Sequence, residues 1–404
     1  MPTSNSASTY GSVTKTFHWL TALLILTNIP IGLIASDLAH EVQIAPNEAL
    51  VNRTTFLFSL HKTIGVAMFF VALARIAWAI SQPKPGLLNG DKWAEAWAAE
   101  TVHWLLYGSL VMVPLSGWVH HAATSGFAPI WWPFGQNLPL VPKSEGLAAL
   151  AGTLHYILQW VLIGAIGAHV AGALKHHLLD GDATLRRMLP GHTPGQPTAR
   201  QPGHMLPFVT ALAVWLAALG GAGMIGLFGA GDGAQTTGLA QVESDWTVSD
   251  GSLQITVEQM GSSVQGSFAD WTADITYDET GDAAGKHGSV TVTIAIESLS
   301  LGSVTKQAMG PDYFNVSSFP TAQFSADLMK TDQGHVARGT LTIRDQSVPI
   351  EMPFDLAIDG DTATVSGGLS VDRREFNVGT GMTDPNSLGF AVDIKVDLTA
   401  SRAP

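Results

Sequence analysis

No cysteine occurs in the 404 residues. That excludes disulfides, thiolate-bound zinc, iron–sulfur clusters and haem attached through thioethers, and it fits an oxidising compartment. Charge is scarce too. Charged side chains make up 13% of the chain and hydrophobic ones 46%, where a soluble domain carries about 25% charged residues. Such a chain reads as neither disordered nor wholly soluble. Basic residues are the rarer sign, 20 Lys and Arg against 33 Asp and Glu. Little is available to neutralise a phosphate backbone, so nucleic acid is not an expected partner.

What is present is unevenly placed. Residues 1–230 hold 11 basic and 9 acidic side chains, a net of +2, and residues 231–404 hold 9 and 24, a net of −15. Twelve of the 14 His and ten of the 12 Trp fall in the first part. Five apolar stretches occur there, at 17–35, 56–80, 102–122, 147–174 and 207–228, each close to or above the roughly 20 residues that cross a bilayer as a helix. The first is preceded by a single basic residue, Lys15, with no small-x-small cleavage site after it; it reads as a retained helix, not a signal peptide. A cytoplasmic N-terminus puts Lys15, Arg75, Lys84, Lys92, Lys175, Arg186, Arg187 and Arg200 inside and leaves Arg53, Lys62 and Lys143 outside, the bias expected of cytoplasmic loops. Five spans then carry the acidic part to the outer face. The Pro/Gly/His-rich stretch 190–203 reads as a cytoplasmic linker and 229–238 as a flexible outer one.

Ionisable side chains within a bilayer are costly and usually functional. His155 and His169 stand 14 residues apart in the fourth stretch, nearly on one helical face and about 21 Å apart along the axis. One helix can thus offer an imidazole to each of two haems at different depths. The depth at which each helix enters pairs His18 with His169 toward the inner face and His61 with His155 toward the outer face, the bis-His ligation of a bundle. Any one of these His alone is better explained by a hydrogen bond to a neighbour; four at paired depths point to haem. Zinc cannot be shared across about 21 Å, and two-His zinc sites would lack further ligands. His103, His176, Arg75 and Lys62 are candidates to meet a quinone or a haem propionate, while His120 and His121 are expected at an exposed surface.

Residues 10–190 resemble the bacterial cytochrome b561 family of four-helix, di-haem type. The resemblance rests on Phe17-His18-Trp19, Leu60-His61-Lys62-Thr63-Ile64-Gly65, His103 with Tyr107, Pro114 and Gly117, Leu154-His155, Ala168-His169, Lys175-His176-His177 and Leu185-Arg186-Arg187-Met188-Leu189-Pro190. It implies two non-covalent haems b on His18, His61, His155 and His169, and electron transfer with quinone as one partner. Some members of the family oxidise superoxide and pass its electron to ubiquinone.

From Trp246 onward the pattern alternates with period two. Val290, Val292, Ile294 and Ile296 share one face, as do Phe390, Val392, Ile394, Val396 and Leu398, with Leu253-Gln254-Ile255-Thr256-Val257 a shorter run. Asp359-Gly360-Asp361 and Ser366-Gly367-Gly368 read as turns. An antiparallel barrel of about eight strands fits this pattern, with room for one apolar ligand; a solid sandwich fits it as well. The order of residues resembles the YceI family of periplasmic lipocalin-like barrels, through Trp246-Thr247-Val248, Gly266-Ser267-Phe268, Asp312-Tyr313-Phe314-Asn315-Val316, Phe319-Pro320-Thr321-Ala322-Gln323-Phe324, Gly339-Thr340-Leu341-Thr342-Ile343-Arg344 and Val371-Asp372-Arg373-Arg374-Glu375-Phe376. That resemblance implies a polyisoprenoid, such as a quinone tail, inside the barrel. Val290, Val292, Ile294, Ile296, Phe390, Val392 and Ile394 are its expected lining.

The expected fold is multidomain: an all-α transmembrane four-helix haem bundle plus one extra transmembrane helix, followed by an all-β antiparallel lipocalin-like barrel. Its expected parts are the di-haem domain at 10–190, a cytoplasmic linker at 191–206, the fifth helix at 207–229, a periplasmic linker at 230–244 and the barrel at 245–400. The expected function is an inner-membrane di-haem b-type cytochrome exchanging electrons with quinone, with superoxide:ubiquinone oxidoreduction and electron passage between quinol and another partner as two candidate reactions that the sequence does not separate, and ubiquinone or another polyisoprenoid in the barrel. The alternative is a membrane-anchored isoprenoid-binding or transport protein whose cytochrome serves a different respiratory donor.

Overall fold

The apolar stretches fold as five helices in the computed structural model: α1 (Ser12–Ile44), α2 (Glu48–Ser81), α3 (Trp93–Ala123), α4 (Glu145–Leu178) and α5 (Met205–Met224). The structure describes residues 2–403 apart from 45, 46, 125, 127, 202, 229–237, 241 and 243, so most of the expected linker at 230–244 lies outside the described residues. The chain divides into two units, one of residues 1–34, 57–123 and 130–231 and the other of residues 35–56, 124–129 and 232–404.

All five helices are long and apolar enough to cross a membrane. The first four run for 31 to 34 residues, about 50 Å at 1.5 Å per residue, so each continues past the apolar stretch read from sequence. Large apolar side chains cover their outer surface, with Leu23 65%, Leu26 63% and Leu216 60% exposed; in water this would be a liability, and in lipid it is the solvated face. Small residues set the helix spacing. A Cβ on Gly108 of α3 would lie 2.1 Å from the Trp215 ring of α5, so glycine there seats the fifth helix, and Trp97 Nε1 donates to Thr210 Oγ1 at 3.2 Å nearby. The segment after α4 clasps the start of α1. Lys15 Nζ donates to the Leu189 and Gly191 carbonyls at 2.8 Å each, and Trp19 Nε1 donates to the Met188 carbonyl at 2.8 Å. Arg187 lies over the Tyr10 ring and donates to the Gly86 carbonyl. This gives the 185–190 motif a structural role.

In the second unit, ten antiparallel strands form one curled sheet: β1 (Trp246–Gln259), β2 (Ser262–Phe268), β3 (Trp271–Tyr277), β4 (Lys286–Ala295), β5 (Leu299–Ser300), β6 (Thr321–Thr331), β7 (Gly334–Ile343), β8 (Gln346–Asp359), β9 (Thr362–Asp372) and β10 (Ala391–Arg402). Their order across the sheet is β3-β4-β6-β7-β8-β9-β10-β1-β2-β5. The count exceeds the expected eight or so because β2 and β3 break at Ala269-Asp270 and β5 is a two-residue pairing on β2. The curl brings β3 against β1. Ser244 Oγ accepts from the Ile275 amide at 2.6 Å, and a Cβ on Gly251 would lie 2.9 Å from the Trp271 ring.

Two expectations need correction. Ser366-Gly367-Gly368 is not a turn but the middle of β9; a Cβ on Gly367 would meet Phe354 Cβ at 2.9 Å and one on Gly368 the Ile394 carbonyl at 2.9 Å, so these glycines permit close strand packing. Ile296 does not continue β4, because the chain turns into a short 3-10 helix at Ile296–Ser298.

Candidate functional site

In the first unit the four bundle histidines stand as two pairs. The His18 and His169 rings have centroids 6.0 Å apart, and those of His61 and His155 are 6.2 Å apart. Two imidazoles sharing one metal, each at a bond of about 2 Å plus the ring's own radius, have centroids up to about 6 Å apart, so each pair has the spacing that would let it hold one iron.

The pair on His61 and His155 also has its ring orientation fixed. His61 Nδ1 donates to the Asn28 carbonyl at 3.0 Å and His155 Nδ1 to the Val113 carbonyl at 2.8 Å. Each bond leaves Nε2 as the nitrogen available to a metal, the usual outer-shell device for a ligating imidazole. Both acceptor carbonyls lie four residues before a glycine. A Cβ on Gly32 would be 2.6 Å from His61, and one on Gly117 would be 3.0 Å from His155. The absence of a Cβ is what lets each ring lie against the neighbouring helix. The donor set, its spacing and this cradle fit haem b. Asn28, Gly32 and Val113 are residues that sequence reasoning missed; the acceptors are backbone atoms, which any residue type supplies.

His103 packs edge-on against His169, with centroids 5.3 Å apart. One turn earlier on α3, Glu100 is 3% exposed; it accepts from Lys84 at 2.5 Å and lies 3.4 Å from His204 Nδ1. His103 thus lies against His169 one turn of α3 from a buried carboxylate. Arg75 lies over the Tyr107 ring, 5.3 Å from its centroid. Lys62 is buried at 7% exposure next to His61. His176 belongs to a separate network: its Nδ1 meets Asp182 at 2.6 Å and Asp180 at 3.2 Å. Glu95, His176 and Asp180 are close enough to hold a metal, but Lys175 reaches both Glu95 and Asp180, at 2.9 and 2.8 Å, and that cation satisfies the carboxylates. His120 and His121 depart from expectation. Both are half-buried, because His120 Nδ1 donates to the Ala148 carbonyl at 2.6 Å and Gly152 leaves room for its ring.

In the second unit the curled sheet encloses an apolar cavity of about 150 Å³. Val290, Val292, Ile294 and Ile394 line it. Three of the expected lining residues lie elsewhere. Ile296 packs in the core beside Leu299 and Leu301, and Val392 is also a core contact. Phe390 precedes β10 and sits under the Arg374 guanidinium, 3.8 Å from its ring centroid.

A multi-pass helical membrane protein with paired bundle histidines, joined to a curled antiparallel sheet around an apolar cavity, is the class these two units define. The chain belongs to the prokaryotic cytochrome b561 family, whose model matches residues 9–191, and residues 246–400 match the YceI-like domain. Cytochrome b561 homolog 2 of Escherichia coli strain K12 is 30% identical over 190 residues, 47% of this chain and 95% of that protein. A probable superoxide oxidase, CybB, of Yersinia pestis is 25% identical over 45% of this chain and 96% of that one. Among solved structures, Burkholderia cenocepacia BcnA is 29% identical, covers 37% of this chain and 96% of its own, and has a TM-score of 0.35.

Proposed function

We propose that the protein is a di-haem membrane cytochrome that moves electrons between an outer site on His61 and His155 and an inner site on His18 and His169, exchanging them with quinone, while its barrel carries a polyisoprenoid. The observation that carries this reading is the pair of His–His separations, 6.0 and 6.2 Å, built on one helix by residues 14 apart. Bound haem b would supply one-electron chemistry at these two positions. The chain's own contribution is ligand placement, tautomer control through the Asn28 and Val113 carbonyls, and proton handling beside the inner pair.

For that last task His103 and Glu100 are well placed. Quinone reduction takes up protons with electrons, and His103 touches His169 while Glu100 connects through Lys84 and His204. The inner pair is accordingly the proposed quinone end. The basic residues of the loops support a cytoplasmic N-terminus and a periplasmic barrel in the inner membrane of a bacterium. A superoxide donor is a second reading, favoured by the likeness to the Yersinia pestis protein.

Purified protein is expected to contain two non-covalent haems b per chain. His155→Ala and His169→Ala should each lose a different one, read as haem content and as separate redox waves. A single haem in the wild type, or the same loss from both variants, would sink the pairing. Haem reduction by added superoxide but not by quinol would favour the second reading.

A further inference from the structure

The two histidine pairs are alike in spacing and unlike in what holds their rings. At one pair both Nδ1 atoms donate to helix carbonyls, His61 to Asn28 at 3.0 Å and His155 to Val113 at 2.8 Å. At the other pair neither ring is held so: among the described residues, no hydrogen bond reaches a ring nitrogen of His18 or His169. The cause lies in the backbone that each ring faces. Gly32 stands four residues after Asn28 and Gly117 four after Val113, and a Cβ there would lie 2.6 Å from His61 or 3.0 Å from His155. Without it, each ring settles onto the helix and finds a carbonyl. The His18 and His169 rings meet other rings instead, Trp19 at 5.2 Å and His103 at 5.3 Å, both edge-on.

Charge differs between the pairs in the same sense. Arg75 acts electrostatically on both His18 and His169, and among the described residues no carboxylate pairs with it. Lys62, the cation beside the other pair, acts on His61 and not on His155, and is the weakest of the influences on that ring. The oxidised form of a metal site carries one more positive charge than the reduced form. An imidazole that donates from Nδ1 is a stronger donor at Nε2 and stabilises that charge, and such bonds are one of a protein's levers on a haem potential. A nearby cation works the other way. Both effects are larger in a dry bundle than in water.

We propose that the chain makes His61 and His155 the lower-potential haem site and His18 and His169 the higher, with Gly32 and Gly117 as the positioning residues that create the difference. The inference rests on the di-haem reading. A one-electron donor is then served at the His61–His155 end, and its electron runs downhill to the His18–His169 end. No bond is made or broken between the pairs, and two such electrons with two protons reduce one quinone. Passage in the other sense, from quinol to a partner at the His61–His155 end, is uphill. The potential order therefore separates a chain that reduces quinone from one that oxidises quinol.

The test is a redox titration of the full-length, detergent-solubilised protein, followed by haem absorbance. The wild type should show two waves. His155→Ala should lose the lower-potential wave and His169→Ala the higher one; His61→Ala and His18→Ala are read in the same way where either variant is too unstable to purify. Gly117→Ala keeps all four ligands and pushes the His155 ring a few tenths of an ångström from its place on α3, which weakens the bond to the Val113 carbonyl. It should move the lower wave alone, and move it upward, a shift that a mere packing role would not produce. Loss of the higher wave from His155→Ala, a single unsplit wave from two haems, or a Gly117→Ala wave that stays or falls would overturn the redox order and leave the di-haem reading standing. A single haem in the wild type would overturn both.

Discussion

Two glycines and an arginine show how much depends on single positions. Gly32 and Gly117 do the same task against His61 and His155, but with different tolerance. A Cβ at 2.6 Å from His61 has no accommodation short of moving the ring, whereas one at 3.0 Å from His155 needs a shift of a few tenths of an ångström. Gly32→Ala should therefore abolish haem at the outer site, and Gly117→Ala should retain it with a shifted potential; haem content and a redox titration of each variant check this. Arg373 is 4% exposed, and its guanidinium donates to the carbonyls of Gly389, Val378, Gly379, Met382 and Leu388. These bonds hold the long connection from β9 to β10 in place. Arg373→Met keeps the bulk and orphans five acceptors, so a loss of about 3 kcal/mol or more is expected, measured by denaturant unfolding of the barrel's tryptophan signal. This explains the run Val371-Asp372-Arg373-Arg374-Glu375-Phe376 by structure, with no ligand required.

At the scale of elements, the helices were legible because their signal is redundant. A span of apolar residues announces itself, and a 14-residue His spacing survives any error in helix boundaries. The partners of those histidines were not legible, since a carbonyl of Asn28 or Val113 has no side-chain signature. Strand interiors behaved likewise. Alternation found Val290, Val292 and Ile294, yet it cannot say where a strand stops, so Ile296 and Phe390 were carried onto a face they leave. The register slip between Lys286 and Gly288 inverts the parity on which such reading depends. Orientation is a prediction at this scale. The absence of cysteine makes single-cysteine labelling clean: Asn137→Cys, between α3 and α4, should react with an impermeant maleimide in intact spheroplasts, and Ala199→Cys, between α4 and α5, only after lysis. The reverse pattern would place the N-terminus outside and leave the charge bias without meaning.

At the scale of the whole molecule, the question is why a cytochrome and a lipid barrel share one chain. A polyisoprenoid leaving the bilayer for water exposes apolar surface at roughly 25 cal/mol per Å², so a carrier must receive it close to the membrane. Joining two binding parts in one chain gives each an effective concentration for the other on the order of millimolar when the linker is short, which free diffusion of a separate carrier would not match. If the barrel's ligand is the quinone that the cytochrome uses, fusion makes delivery local and first-order. If fusion merely anchors the barrel, the two parts work independently. These alternatives differ in one measurable rate. In membranes of equal, limiting quinone content, quinone-linked oxidation of the haems should be faster in the full chain than in residues 1–230, and Ile294→Asp in the full chain, which puts a carboxylate on the apolar cavity wall, should remove that advantage. With quinone in excess the two rates should converge, since delivery no longer limits. Equal rates at limiting quinone would leave the barrel with no part in electron transfer and make the fusion only an anchor.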